Sequence, residues 1–232
     1  MKLGLGASLS RGSFVSSGFD IISLSPELWL KFNEGQGAIT DGKRWSDQSG
    51  NNRHAQQTTD AQEPTFSSGR MLTDADSKDS LDLASTFTLA GEYYMFIVLH
   101  LSSENAETVI SSNNNSTSFI RIGQGGVTNR IRVRNNGSTN QDDITMSTTF
   151  GTSEAILEIG RDGSNDIKVL KNGNVLGTGS AGGTYQFEQI GASSTGVESG
   201  KIAEVVIFSS FLNSENATNV RNDIVERVGI TI

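Results

Sequence analysis

The feature that most constrains this chain is the punctuation of its apolar residues. Short apolar runs recur from residue 27 to residue 208, and Gly, Asn, Ser and Asp stand between them where amphipathic helices would otherwise fit. Residues 93–101 (YYMFIVLHL) form a continuous apolar run, which predicts a central strand buried on both faces. Residues 27–32 alternate as a first strand, and further strands are expected at 107–111, 118–123, 129–134, 144–148, 154–160 and 166–171. Asn172-Gly173 predicts a type I′ turn, after which Val175-Leu176 begins the return strand. Strands at 186–190 and 201–208 complete the series. Repeated strands without intervening helices predict an all-β fold, an antiparallel β-sandwich of the jelly-roll kind. One short helix is expected near the end, capped by Ser214. Ala217, Val220, Ile224 and Val228 recur at helical spacing, and Gly229 stands where a left-handed residue closes a helix. Its apolar stripe is expected on the edge of the sandwich.

A chain of 232 residues fits one large sandwich. Its apolar fraction of 34% and its 26 glycines suit short strands and tight turns better than long helices. A net charge of −8 disfavours general nucleic-acid binding, which calls for a basic surplus. No run of ~18 apolar residues predicts a membrane-spanning helix. The first residues read poorly as a secretory signal, because Gly, Ser and Arg11 interrupt the segment before an apolar core forms. Cysteine is absent, which excludes disulfides and thiolate metal sites and leaves the redox compartment open.

Two units are expected: an extended arm over residues 1–24 and a sandwich over residues 25–232, with every core residue after Pro26. The arm spaces Leu3, Leu5, Leu9 and Phe14 along a Gly/Ser-rich segment. Such a segment has too few large apolar groups to fold alone and suits an extended strand laid against another chain. Those four residues are therefore candidate partner-binding residues.

Residues 28–32 (LWLKF), Trp45-Ser46-Asp47-Gln48-Ser49-Gly50, Arg161-Asp162-Gly163, Val169-Leu170-Lys171-Asn172-Gly173 and Gly200-Lys201-Ile202-Ala203-Glu204-Val205, in this order, resemble the LamG-like, concanavalin A-like jelly-roll family. The resemblance implies a fold and not a reaction. Domains of this kind serve as extracellular binding proteins, as accessory modules of enzymes and as virion structural proteins of tailed phages. A bare copy with a Gly/Ser-rich arm is most similar to the phage case. It implies a non-enzymatic virion structural protein, a capsid decoration or a tail or fibre component on the virion surface. Its implied partners are other virion proteins and further copies of itself. The alternative is a carbohydrate-binding module that attaches to cell-surface glycans.

Related sandwich enzymes that cleave glucans carry carboxylates at alternate positions of one strand, in a pattern like Glu-x-Asp-x-x-Glu, flanking the bond at ~5–5.5 Å. Here the nearest segment, Glu154-Ala155-Ile156-Leu157-Glu158, lacks the middle acid, so no glycan hydrolysis is expected. His54 and His100 are the only histidines and make no zinc-binding pair; His100 is expected to be a satisfied core residue. No cofactor is expected. Calcium is the cation that Asp74, Asp76, Asp79 and Asp82, or Asp162 and Asp166, could hold, although Asp-rich turns explain both groups. Trp45 is expected to anchor a sheet end with its indole N–H satisfied. Asp47, Ser49 and Asn51 suit a polar turn. Glu204 is expected to bond to the loop that begins at Trp45. In residues 129–134, alternation turns Ile131 and Val133 inward and Arg130, Arg132 and Arg134 outward, with Arg121 nearby. These arginines form either a ladder with Glu154 and Glu158 or a docking surface for an acidic partner or an anionic glycan.

Overall fold

A computed structural model of the chain describes residues 19–74, 79–105, 107–112, 117–191 and 200–232. Strands follow in chain order as β1 (Leu28–Leu30), β2 (Gln36–Ile39), β3 (Gly42–Trp45), β4 (Ala55–Gln57), β5 (Thr65–Ser67) and β6 (Arg70–Thr73). Then come β7 (Ser80–Leu89), β8 (Tyr93–Leu101), β9 (Glu107–Ser111), β10 (Phe119–Ile122), β11 (Arg130–Asn136) and β12 (Asn140–Thr145). The last are β13 (Ala155–Arg161), β14 (Asp166–Lys171), β15 (Asn174–Ser180), β16 (Tyr185–Gly191) and β17 (Gly200–Phe208), followed by helix α1 (Ser214–Val228).

These strands build two antiparallel sheets packed face to face, the expected β-sandwich. One has eight strands in the order β15-β14-β13-β8-β17-β6-β5, with β1 also paired to β17. The other has nine, in the order β12-β11-β10-β9-β16-β7-β4-β3-β2. Alternate residues of β8 explain its unbroken apolar run. Tyr93, Met95, Ile97, Leu99 and Leu101 face the core between the sheets, while Tyr94, Phe96 and Val98 face a second core beneath α1. β17 divides likewise, with Val205 and Ile207 between the sheets and Val206 and Phe208 under the helix.

Ala217, Val220, Ile224 and Val228 of α1 fill that second core, so the helix covers the outer face of the eight-stranded sheet and not an edge. The cap is Asn213, whose side chain accepts from the Asn216 N–H at 2.8 Å, in place of the expected Ser214. Gly229 closes the helix with a φ of 77°. The hairpin turn at Asn172-Gly173 has positive φ at both residues, as a type I′ turn requires.

Ile21, in a 3-10 turn over Ile21–Leu24, is 1% exposed and joins the core beneath α1. Core packing therefore begins before Pro26. Leu3, Leu5, Leu9 and Phe14 lie outside the described residues.

Candidate functional site

The two sheets treat their outer faces differently. α1 roofs one, while the outer face of the other is polar, and the sequence-predicted arginines stand there. Ile131 and Val133 point into the inter-sheet core, so Arg130, Arg132 and Arg134 point away from it, as alternation requires. Arg121 on β10 pairs in register with Arg132, and Phe119 with Arg134. The four guanidiniums thus share two neighbouring strands.

Three of them have a defined setting. Arg132 grips Asp143 of β12 with two parallel bonds, Nη2 reaching Oδ2 at 2.6 Å. Arg134 Nε donates to Gln141 Oε1 at 2.7 Å, and Arg121 Nε donates to Thr108 Oγ1 at 2.8 Å. Arg121 and Arg134 both lie over the ring of Phe119, each 4.6 Å from its centroid, and Phe119 is buried beneath them. Burial, and then the charges of Arg132 and Arg134, lower the pKa of Arg121. Burial and then Arg132 lower that of Arg134, against the opposing pull of Asp143. The hydrogen bonds from Arg132 hold the Asp143 carboxyl below its ordinary value. The cluster is therefore a place where cations crowd one another and Asp143 partly compensates.

The expected ladder with Glu154 and Glu158 does not form. Glu158 belongs to β13 of the opposite sheet, and Glu154 immediately precedes that strand. Glu154 accepts from Arg70 Nε at 2.6 Å and Nη2 at 2.7 Å. Glu158, fully buried, accepts from Arg221 of α1 at 2.7 and 2.9 Å and from the Gly173 N–H at 2.7 Å. Sequence reasoning missed the true partners, Asp143 and Gln141, because residues 140–145 (NQDDIT) hold a single apolar side chain. Asn136-Gly137, a turn dipeptide directly after the arginines, was the available signal.

Glu204 is also bound otherwise than expected. Its carboxylate accepts from the Trp29 indole at 2.8 Å, from the Phe32 N–H at 3.3 Å and from Arg227 Nη2 at 2.6 Å, with no bond to the 45–50 loop. Burial raises its pKa despite the opposing pull of Arg227. The loop is organised by Asp47, which accepts from the N–H groups of Trp29, Ser49 and Arg53 at 2.9–3.0 Å. Trp45 is fully buried and its indole donates to the Lys31 carbonyl at 3.0 Å, as expected.

Asp74 and Asp79 share a cleft with Asp60 and Glu63, whereas Asp82 bonds Gln189 at 2.6 Å on the outer face of the nine-stranded sheet. Asp76 lies outside the described residues. Asp162 accepts from the N–H groups of Ser164 and Asp166 and shapes a turn. Among the described residues no group of three His, Cys, Asp or Glu side chains converges on a point a metal could occupy. His100 is half-buried, and its Nδ1 lacks a partner, so it is not the satisfied core residue expected.

No protein-family model matches the chain, and a search of curated proteins finds no match. Several solved structures share the fold. The binding domain of botulinum neurotoxin DC in complex with SialylT is 16% identical, with a TM-score of 0.59 over 88% of this chain and 52% of that one. The botulinum neurotoxin serotype D ligand binding domain in complex with N-acetylneuraminic acid is 15% identical, with a TM-score of 0.62 over 87% and 51%. The binding domain of paraclostridial mosquitocidal protein 1 is 12% identical, with a TM-score of 0.55 over 84% and 52%. This chain spans about half the length of each. At such identities the likeness concerns architecture: a β-sandwich of the kind carried by these toxin binding domains.

Proposed function

We propose that this chain is a non-enzymatic recognition module, the jelly-roll display domain of a virion structural protein, and that its arginine face takes an anionic glycan. The observation that carries the reading is the crowding of Arg121, Arg130, Arg132 and Arg134 on one sheet face of a chain with net charge −8. Guanidiniums recognise carboxylates through two parallel bonds, and Phe119 beneath them stiffens the platform. One structural neighbour was solved with N-acetylneuraminic acid, a carboxylated sugar, which favours the same ligand class here. The outward carboxylates on and beside β13 and β17 favour a non-enzymatic role. Glu154, Glu158 and Glu204 are each closed by an arginine, so none of these three is free for glycosidic chemistry.

The virion placement rests on the resemblance of the sequence to LamG-like phage domains and on the Gly/Ser-rich arm, through which the chain would join other virion proteins or further copies of itself. A screen of carboxylated, sulfated and neutral glycans tests the ligand class. Carboxylated members should bind, and laminarin or agarose incubated with the protein should release no reducing ends. Preferential retention of neutral glycans would overturn the ligand class. Particle proteomics that finds the chain apart from capsid and tail proteins would overturn the placement.

A further inference from the structure

The outer face of the eight-stranded sheet is only partly roofed. α1 covers Tyr94, Phe96 and Val98 on β8, Ile156 next to them on β13, and Val206 and Phe208 on β17. One step further along the strands the helix no longer reaches. There Lys201 stands directly opposite His100 in register, and the pairing of Ala155 with Leu99 places Glu154 on the other side of His100. A cleft of about 310 Å³ opens over this row, with Ser67, Ser68 and Arg70 on its further wall.

The polar groups of the cleft divide into two sets. Arg70 and Glu154 satisfy each other with two bonds, the third arm of Arg70 donates to the Ser68 carbonyl at 2.9 Å, and the guanidinium lies over Phe32. That set is closed and neutral. The other set is open. Lys201 forms no ion pair among the described residues, and the buried Nδ1 of His100 has no hydrogen-bond partner. Buried ring nitrogens are ordinarily partnered, so this orphan beside an unpaired ammonium is a place where a ligand atom could bond. Side chains opposed across antiparallel strands stand ~5 Å apart at Cβ, close enough for both to reach one group.

We propose that this cleft binds a small oxyanion, the carboxylate of a sugar acid or a phosphate group, held by Lys201 Nζ and His100 with the hydroxyls of Ser67 and Ser68 at the rim. It lies on the opposite sheet from the arginine face and is independent of it. The charged groups that face His100 are Glu154 just before β13, Lys201 from β17 and Arg70 from β6. With Arg70 and Glu154 mutually neutralised, the charge available to a ligand is that of Lys201. A ring N–H of His100 can donate to the same oxyanion as the ammonium.

Calorimetric titration of the full chain with glucuronate and with inorganic phosphate tests the site. Saturable binding of either probe is expected, and the one that binds identifies the source of the oxyanion. Lys201→Ala, at an exposed position, should weaken that binding by roughly tenfold or more. His100→Gln should likewise weaken the binding of whichever probe the site takes. Arg130→Ala with Arg134→Ala should change nothing here, so failure of the arginine face and failure of this cleft are separable. Absence of binding by both probes, or equal affinity of Lys201→Ala and the parent protein, would overturn the assignment.

Discussion

Single residues decide whether the polar groups of this sandwich hold it together or expose it to ligands. Glu204 is buried completely, and Arg227 supplies the opposite charge from the helix above it. Removing one member of such a pair strands the other, which costs about 3–5 kcal/mol. Arg227→Ala should therefore lower stability by that order in denaturant titration, and a loss below about 1 kcal/mol would contradict the pairing. Asp143 acts near the surface and titrates. Arg132 holds its folded pKa below the ordinary value of 3.8, so its contribution is complete above that pH and disappears as pH falls through the lower, folded value. The melting-temperature gap between the parent protein and Asp143→Asn should be present at neutral pH and close in acid. A gap that persists at pH 2 would show that the carboxylate charge is not its origin.

At the scale of elements, legibility followed apolar pattern. β8, β13 and β17 announce themselves because both of their faces are covered, and the Asn172-Gly173 turn because flanking apolar strands frame it. β2 (QGAI), β3 (GKRW) and β12 (NQDDIT) carry almost no apolar signal, since one face is wet and the strands lie at or near a sheet edge. β7 was missed although Leu81, Leu83, Phe87 and Leu89 keep one parity, interrupted only at the exposed Ser85, in the stretch where its register with β16 shifts. The arginine ridge could be read from alternation. Its partners could not, because Asp143 belongs to a strand that only the Asn136-Gly137 turn reveals. Close packing of these wet strands gives a further expectation. Gly42 has a φ of 145°, and a Cβ there would lie 1.9 Å from the Gln57 carbonyl oxygen of β4. Gly42→Ala should split β3 from β4 and lower the melting temperature by several degrees, roughly 1–3 kcal/mol. An unchanged melting curve would contradict the tight register.

At the scale of the whole molecule, one sheet is roofed by a helix and the other carries a cationic face on an acidic body. The arm proposal adds an anchor. A chain lacking residues 1–18 keeps Ile21 and should melt close to the parent temperature while failing to enter its assembly. Removal through residue 24 should cost about 1.5–3 kcal/mol more, because Ile21 leaves the core beneath α1. Normal assembly of the shorter truncation would place the anchor elsewhere. The arginine face itself is tested most directly by the affinity of a sialylated oligosaccharide for the parent protein and for the double variant Arg130→Gln with Arg134→Gln, measured across a salt series. An anionic-glycan face requires binding that weakens as salt rises and falls by roughly tenfold or more in the variant. Equal affinity of the two proteins, or binding indifferent to salt, would contradict it.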